Sequence, residues 1–310
     1  MLKWIQAARL RTLPLSISGI IVGSFIAKWR LEERMEQWDP LLFVLALVLT
    51  LLFQVLSNYA NDLGDAQKGT DLNRSTSAEK RTVASGAISQ NQMTQAVILL
   101  SVLSFLFTVL LLYFAFLKDG LWEEFWIFLA LGVLCILAAI GYTVGKKPYG
   151  YLGLGDIMVF LFFGLLAVGG SYFLFTKTWE WDLLLPGSAI GMLAAGVLNL
   201  NNMRDLPNDI KTNKRTFAQY LGYKGAMIYQ MIILQLPILL ILVFLMVNKL
   251  HEKGQYYAFI VMVMLFPMAA LRRRILQTKS PEELDPFLKQ LGIQTLTTSV
   301  LLALGLTLFN

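Results

Sequence analysis

The sequence predicts an all-α integral membrane protein: a single polytopic domain, 1–310, with nine transmembrane helices. Three observations predict it. Hydrophobic residues make up 56% of the chain, mean hydropathy is +0.61, and apolar runs near twenty residues recur from end to end. A helix needs ~20 such residues to cross ~30 Å of hydrocarbon, so a run of that length is the unit to look for.

The first span, 12–28, is short and carries Pro14. The stretch before it, "MLKWIQAARLRTLP", lacks the small-residue cleavage site of a secretory signal and is read as mature protein. The second, 40–60, holds "PLLFVLALVLTLLFQVLS" and runs straight into "NYANDLGDAQKGTD". The third and fourth, 93–117 and 121–141, are separated by a turn of a few residues at Lys118. The fifth, 154–175, contains "MVFLFFG"; the sixth, 183–203, ends in "NLNNM". The last three are 226–247, 255–271 and 290–309, with "RRR" at 272–274 as a topology anchor.

Basic loops stay on the cytoplasmic side of a membrane. With nine spans and the N-terminus inside, 19 of the 26 Lys and Arg fall inside, whereas the 20 acids divide evenly. The net charge of +6 is therefore membrane topology, and nothing supports a nucleic-acid partner. Cys135 is the one cysteine and His251 the one histidine, which excludes an internal disulfide, zinc-type His/Cys clusters and Ser-His-Asp or Cys-His catalysis. Any metal here is held by oxygen.

The inner loops are the long polar ones, 61–92 and 204–225, and function on a helical scaffold sits in such loops and the helix ends beside them. A weak repeat marks both: Asn58-x3-Asp62-x2-Asp65 closes the second span and Asn201-x3-Asp205-x3-Asp209 closes the sixth. The repeat implies two four-helix halves plus a ninth helix. At 3.6 residues per turn, each set points one amide and two carboxylates in a common direction, with a kink or end expected at Pro207. One acid at a helix end is solvation of that end. Two sets in helical phase on one side of a membrane are costly unless a cation joins them. Mg²⁺ suits this pattern, since it binds through a few carboxylates plus substrate phosphates.

A diphosphate would also need cations. Lys68, Arg81, Lys146, Lys147, Arg204, Lys211 and Arg215 are available, although each alone reads as a topology residue. Arg81 and Lys146 stand out by their Gly-containing surroundings, "EKRTVASGAIS" and "GYTVGKKPYGYLGLGD". The Phe run at 158–164 reads either as packing and lipid contact or as the wall for an apolar substrate tail. Tyr142, four residues before Lys146, is the stronger active-site aromatic.

"ARLRTLP", "NDLGDAQKGTD", "ASGAIS", "YTVGKKPYGYLGLGDIMVFLFFG" and "LNNMRDLPNDIKTNKRTFAQYLG" together resemble the UbiA superfamily of intramembrane aromatic prenyltransferases. The Tyr142–Gly164 stretch resembles the branch acting on 1,4-dihydroxy-2-naphthoate. The superfamily's first motif, Asn-Asp-x-x-Asp-x-x-x-Asp, meets Gly69 at its last position here, with Asp71 two residues on.

The resemblance implies nine helices around a central cavity, capped by loops 61–92 and 204–225 on the cytoplasmic side of a bacterial inner membrane. It implies a polyprenyl diphosphate donor, an aromatic acceptor and Mg²⁺ held by Asp62, Asp65, Asp205 and Asp209, with Asn58 and Asn201 assisting. Lys146 would stabilise the departing diphosphate, with Lys68, Arg81, Arg204 and Lys211 as further diphosphate contacts. Asp71, Asp156 and Asn61 are open candidates, Asp156 with Tyr142 for the acceptor. The implied reaction is prenylation of the naphthoate with loss of its carboxylate, giving demethylmenaquinone. The same fold acting on 4-hydroxybenzoate, homogentisate or haem is the nearest alternative, and a transporter lined with acids is the alternative of another class.

Overall fold

The structure, a computed structural model, describes residues 2–69, 81–212 and 214–307. Its elements are α1 (Leu2–Ala8), α2 (Leu13–Glu33), α3 (Pro40–Lys68), α4 (Gln90–Ala115), α5 (Trp122–Gly141), α6 (Gly155–Val159), α7 (Ala167–Thr176), α8 (Leu184–Lys211), α9 (Phe217–Ile233), α10 (Leu236–Val247), α11 (Leu265–Leu276) and α12 (Asp285–Thr307). Among the described residues there is no strand, only a bridge between Leu152 and Arg215.

Eight helices among the described residues are long and apolar enough to span a membrane. Nine were expected. The segment expected at 255–271 is a 3-10 stretch, Tyr256–Met264, running into α11, and does not belong to the eight. The first span is longer than its apolar run, because α1 and α2 join through a short 3-10 turn to reach Leu2–Glu33.

The eight spans differ in enclosure. Trp181–Lys211, which contains α8, is the most buried and Trp122–Gly141 the least. The small residues of α8 explain its central place: they let α9, α10, α12 and the α6–α7 span approach closely. Between α6 and α7 the chain widens into a π-helical stretch, Phe160–Leu166. There Gly164 lies directly on Gly187 and Gly191 of α8, where a Cβ has no room.

Pro207 does not end α8, which continues to Lys211. Gly69 follows the end of α3 with φ 70°, so the position of the motif's last Asp is here the left-handed residue that stops the helix. At the end away from the acidic motifs, Arg30 of α2 joins Tyr172, Asp182 and Asn248, fastening four segments together.

Candidate active site

A cavity of about 360 Å³ runs through the bundle. Its walls are mostly apolar and include Leu111, Leu112, Phe128, Phe162, Phe163 and Leu174. Phe162 and Phe163 of the Phe run thus lie in the cavity wall, and Phe163 also packs against the core. Towards the motif end the lining turns polar, with Arg9, Arg11, Thr12, Asn58, Asn61, Asp65, Arg81, Tyr142, Asn201 and Lys214.

The first acidic set splits in two. Asp65 and Asn61 line the cavity, and Asp62 does not. Asp65 accepts from Arg81 Nη2 at 3.1 Å and from the Tyr151 hydroxyl at 2.8 Å. Asp62 is 1% exposed and turns to the loop after the undescribed segment, accepting from the backbone N–H of Thr82 at 3.0 Å and its hydroxyl at 2.5 Å. The other oxygen of Asp62, Oδ1, is buried without a hydrogen-bond partner. Asn58 donates to Ala8 O at 2.7 Å and Thr12 Oγ1 at 3.2 Å, tying α3 to the N-terminal segment.

Gly64 allows the loop after α5 to reach this helix. A Cβ there would stand 2.6 Å from the backbone of Thr143. Thr143 donates to Ala60 O at 3.0 Å and Asn61 Oδ1 at 3.1 Å, which fixes the amide facing the cavity.

In the second set, Asn201 lines the cavity and Asp205 and Asp209 are buried beside it. Arg204 forks onto Asp205, both contacts at 2.8 Å, and donates to Asn201 Oδ1 at 2.7 Å. Arg204 is thus enclosed, while Lys68, Lys146, Lys147, Lys211 and Arg215 are exposed at the motif end and absent from the cavity lining. Lys68 and Lys214 both stand over the Tyr151 ring, at 5.5 and 5.3 Å. Asp71 lies outside the described residues.

Tyr142 meets Tyr149 edge to face, with centroids 5.3 Å apart. Burial holds the Tyr142 phenol well above its ordinary pKa, and the negative charges of Asp156, Asp65 and Asp209 push the same way while Arg9 opposes them. It therefore presents a neutral O–H at physiological pH. Asp156 is buried close by, with Oδ1 unpartnered.

Sequence reading did not single out Arg9, Arg11 or Lys214 as cavity residues, nor Thr82 or Tyr151 as partners of the acids. The only signal for the two N-terminal arginines is their place in "ARLRTLP".

The donors at the motif end are carboxylates and amides, and such a set fits a hard divalent cation. As the residues stand, Arg81 pairs with Asp65 and Arg204 with Asp205, and among the described residues no three acids form a ready metal group.

Known proteins resemble this chain over nearly all its length. The profile of the UbiA prenyltransferase family matches residues 24–293. A 1,4-dihydroxy-2-naphthoate octaprenyltransferase of Haemophilus influenzae is 40% identical over 304 residues, 98% of this chain and 95% of that one. The protein of the same description from Escherichia coli is 37% identical, again over 98% and 95%. Among solved structures, a UbiA homologue from Aeropyrum pernix superposes with a TM-score of 0.66 at 15% identity, covering 97% of this chain and 98% of that one. That likeness concerns the fold.

Proposed function

The chain belongs to the UbiA prenyltransferase family, and from that premise we propose that it transfers a polyprenyl group from its diphosphate to 1,4-dihydroxy-2-naphthoate, releasing the ring carboxylate as CO₂, in menaquinone biosynthesis. The observation that carries the reading is one cavity with mostly apolar walls that has residues of both acidic segments in its lining. A prenyl tail and a diphosphate head need both kinds of surface. The choice of naphthoate is supported by relatives of that description at 37–40% identity. Membership of the family argues against the transporter reading.

Transfer breaks the bond between the allylic carbon and the diphosphate oxygen, so negative charge grows on the leaving group. Arg9, Arg11, Arg81 and Lys214 line the mouth where that charge develops, and fixed cations there stabilise it without reorganising. Lys68, Lys146 and Lys211 are placed to attract the diphosphate from solution. Mg²⁺, held by Asp65, Asp205 and Asp209 with Asn61 and Asn201, would supply further neutralisation of the diphosphate. Asp62 and Asn58 fix the surrounding segments. Tyr142 offers a neutral hydroxyl and a π-face at the boundary between head and tail. The apolar wall excludes water, which would otherwise capture the allylic cation as an alcohol. The cavity opens within a multi-pass bundle of the bacterial inner membrane, with the acidic segments on the cytoplasmic side.

An acceptor competition tests this reading. Purified enzyme with one polyprenyl diphosphate and Mg²⁺ should turn over the naphthoate in preference to 4-hydroxybenzoate and homogentisate. Turnover of another aromatic with none of the naphthoate would refute the acceptor assignment.

A further inference from the structure

We infer that Asp285, the first residue of α12, is a positioning residue for the second acidic segment and acts through Arg204. It lies 81 residues from Arg204 in sequence and outside both acidic motifs. The Arg204 side chain has 0% exposure, and its guanidinium is divided among three acceptors. Nε and Nη2 hold the two oxygens of Asp205, Nη2 also reaches Asn201 Oδ1, and Nη1 donates to Asp285 Oδ1. The same Asp285 oxygen accepts from Arg11 Nη1 at 3.4 Å. Arg11 belongs to the turn before α2 and lines the cavity. One carboxylate thereby joins that turn, α8 and α12.

The consequence follows from guanidinium chemistry. The donors of an arginine lie in one rigid plane, so anchoring Nη1 sets the orientation in which Nε and Nη2 present Asp205 and Asn201. Asp285 also shares the positive charge. Arg204 divides its donors between Asp205 and Asp285, so Asp205 receives only part of that guanidinium's charge and can still attract a second cation. Without the Asp285 charge, Arg204 would give its whole charge to Asp205, and Arg11 would lose this ion pair. Favourable placement of an acid at a helix N-terminus accounts for an acidic residue at this position, but not for the three-way contact.

The inference rests on the reading that the acidic segments bind a divalent cation, and its test separates the two. Mn²⁺ is titrated into detergent-purified full-length protein and bound ion is read by electron paramagnetic resonance, alongside the unfolding temperature. Asp285→Asn should weaken Mn²⁺ binding about 10-fold, the scale of losing an outer-shell partner. Asp285→Glu should restore most of it. Arg204→Lys, which keeps the charge and loses the fork, should weaken binding to a similar extent and decides the matter where Asp285→Asn does not fold. If both variants bind Mn²⁺ within twofold of wild type while Asp205→Asn abolishes binding, the role of Asp285 is overturned and the metal reading stands. If the wild-type protein binds no Mn²⁺, the metal reading falls and the inference with it.

Discussion

Replacing Thr82 with valine tests whether Asp62 is an anchor for the loop that carries Arg81. Valine keeps the shape of threonine and removes the hydroxyl that Asp62 accepts from at 2.5 Å. Both residues are buried, so water cannot replace the lost donor. Asp62 would keep the backbone N–H at 3.0 Å, with Oδ1 already unpartnered. A hydrogen bond to a charged group contributes ~1.5–3 kcal/mol. Taking about 2 kcal/mol, and about 2–4 °C per kcal/mol for a chain of this size, the apparent unfolding temperature should fall by roughly 4–8 °C. Intrinsic fluorescence of the seven tryptophans in detergent reads that shift. Because Arg81 follows the same loop and pairs with Asp65, KM for the polyprenyl diphosphate should also rise several-fold. Thr82→Ser should recover both properties. If valine and serine both match wild type in stability and KM, Asp62 does not anchor this loop.

Gly64→Ala would drive a Cβ into Thr143 at 2.6 Å, and overpacking of that kind costs about 1–3 kcal/mol, measurable as a lower unfolding temperature with reduced turnover. Gly170 lines the cavity and a Cβ there meets nothing closer than 3.8 Å, so Gly170→Phe should fold and fill the tail channel. Its kcat/KM should fall by about 10-fold or more for a long polyprenyl diphosphate, the scale of ~1.4 kcal/mol, and much less for geranyl diphosphate. Tyr142 should give no ionisation in the pH–rate profile below about pH 10, because burial raises its phenol above the ordinary value of ~10. The unfolded chain then loses that proton first, so stability present below about pH 10 is lost as pH rises towards the folded pKa. Tyr142→Phe should flatten that part of the stability curve.

Eight of the nine expected spans and the two acidic segments were legible in sequence because each is local: a run of apolar residues, or a phase along one helix. What was not legible is which way neighbouring acids point. Asp62 and Asp65 are ~60° apart around α3, near enough to seem one face and far enough for one to meet Thr82 and the other the cavity. Asn61, only ~40° from Asp65, shares the cavity with it. Arg204 is hidden similarly. In sequence it is one of several basic residues near a helix end, whereas in space its partner Asp285 comes from a different helix. The 3-10 form of Tyr256–Met264 and the π-helical stretch beside α8 depend on packing, and periodicity carries no sign of either.

The central claim is polyprenyl transfer to the naphthoate with loss of its carboxylate. It is tested most directly by supplying carboxyl-¹³C-labelled 1,4-dihydroxy-2-naphthoate, a polyprenyl diphosphate and Mg²⁺ to the purified protein, then following the label and the product by mass spectrometry. The account predicts labelled CO₂ and an unlabelled prenylated naphthalenediol. A prenylated product that keeps the label, or no product from this acceptor under conditions where another aromatic is prenylated, would contradict it.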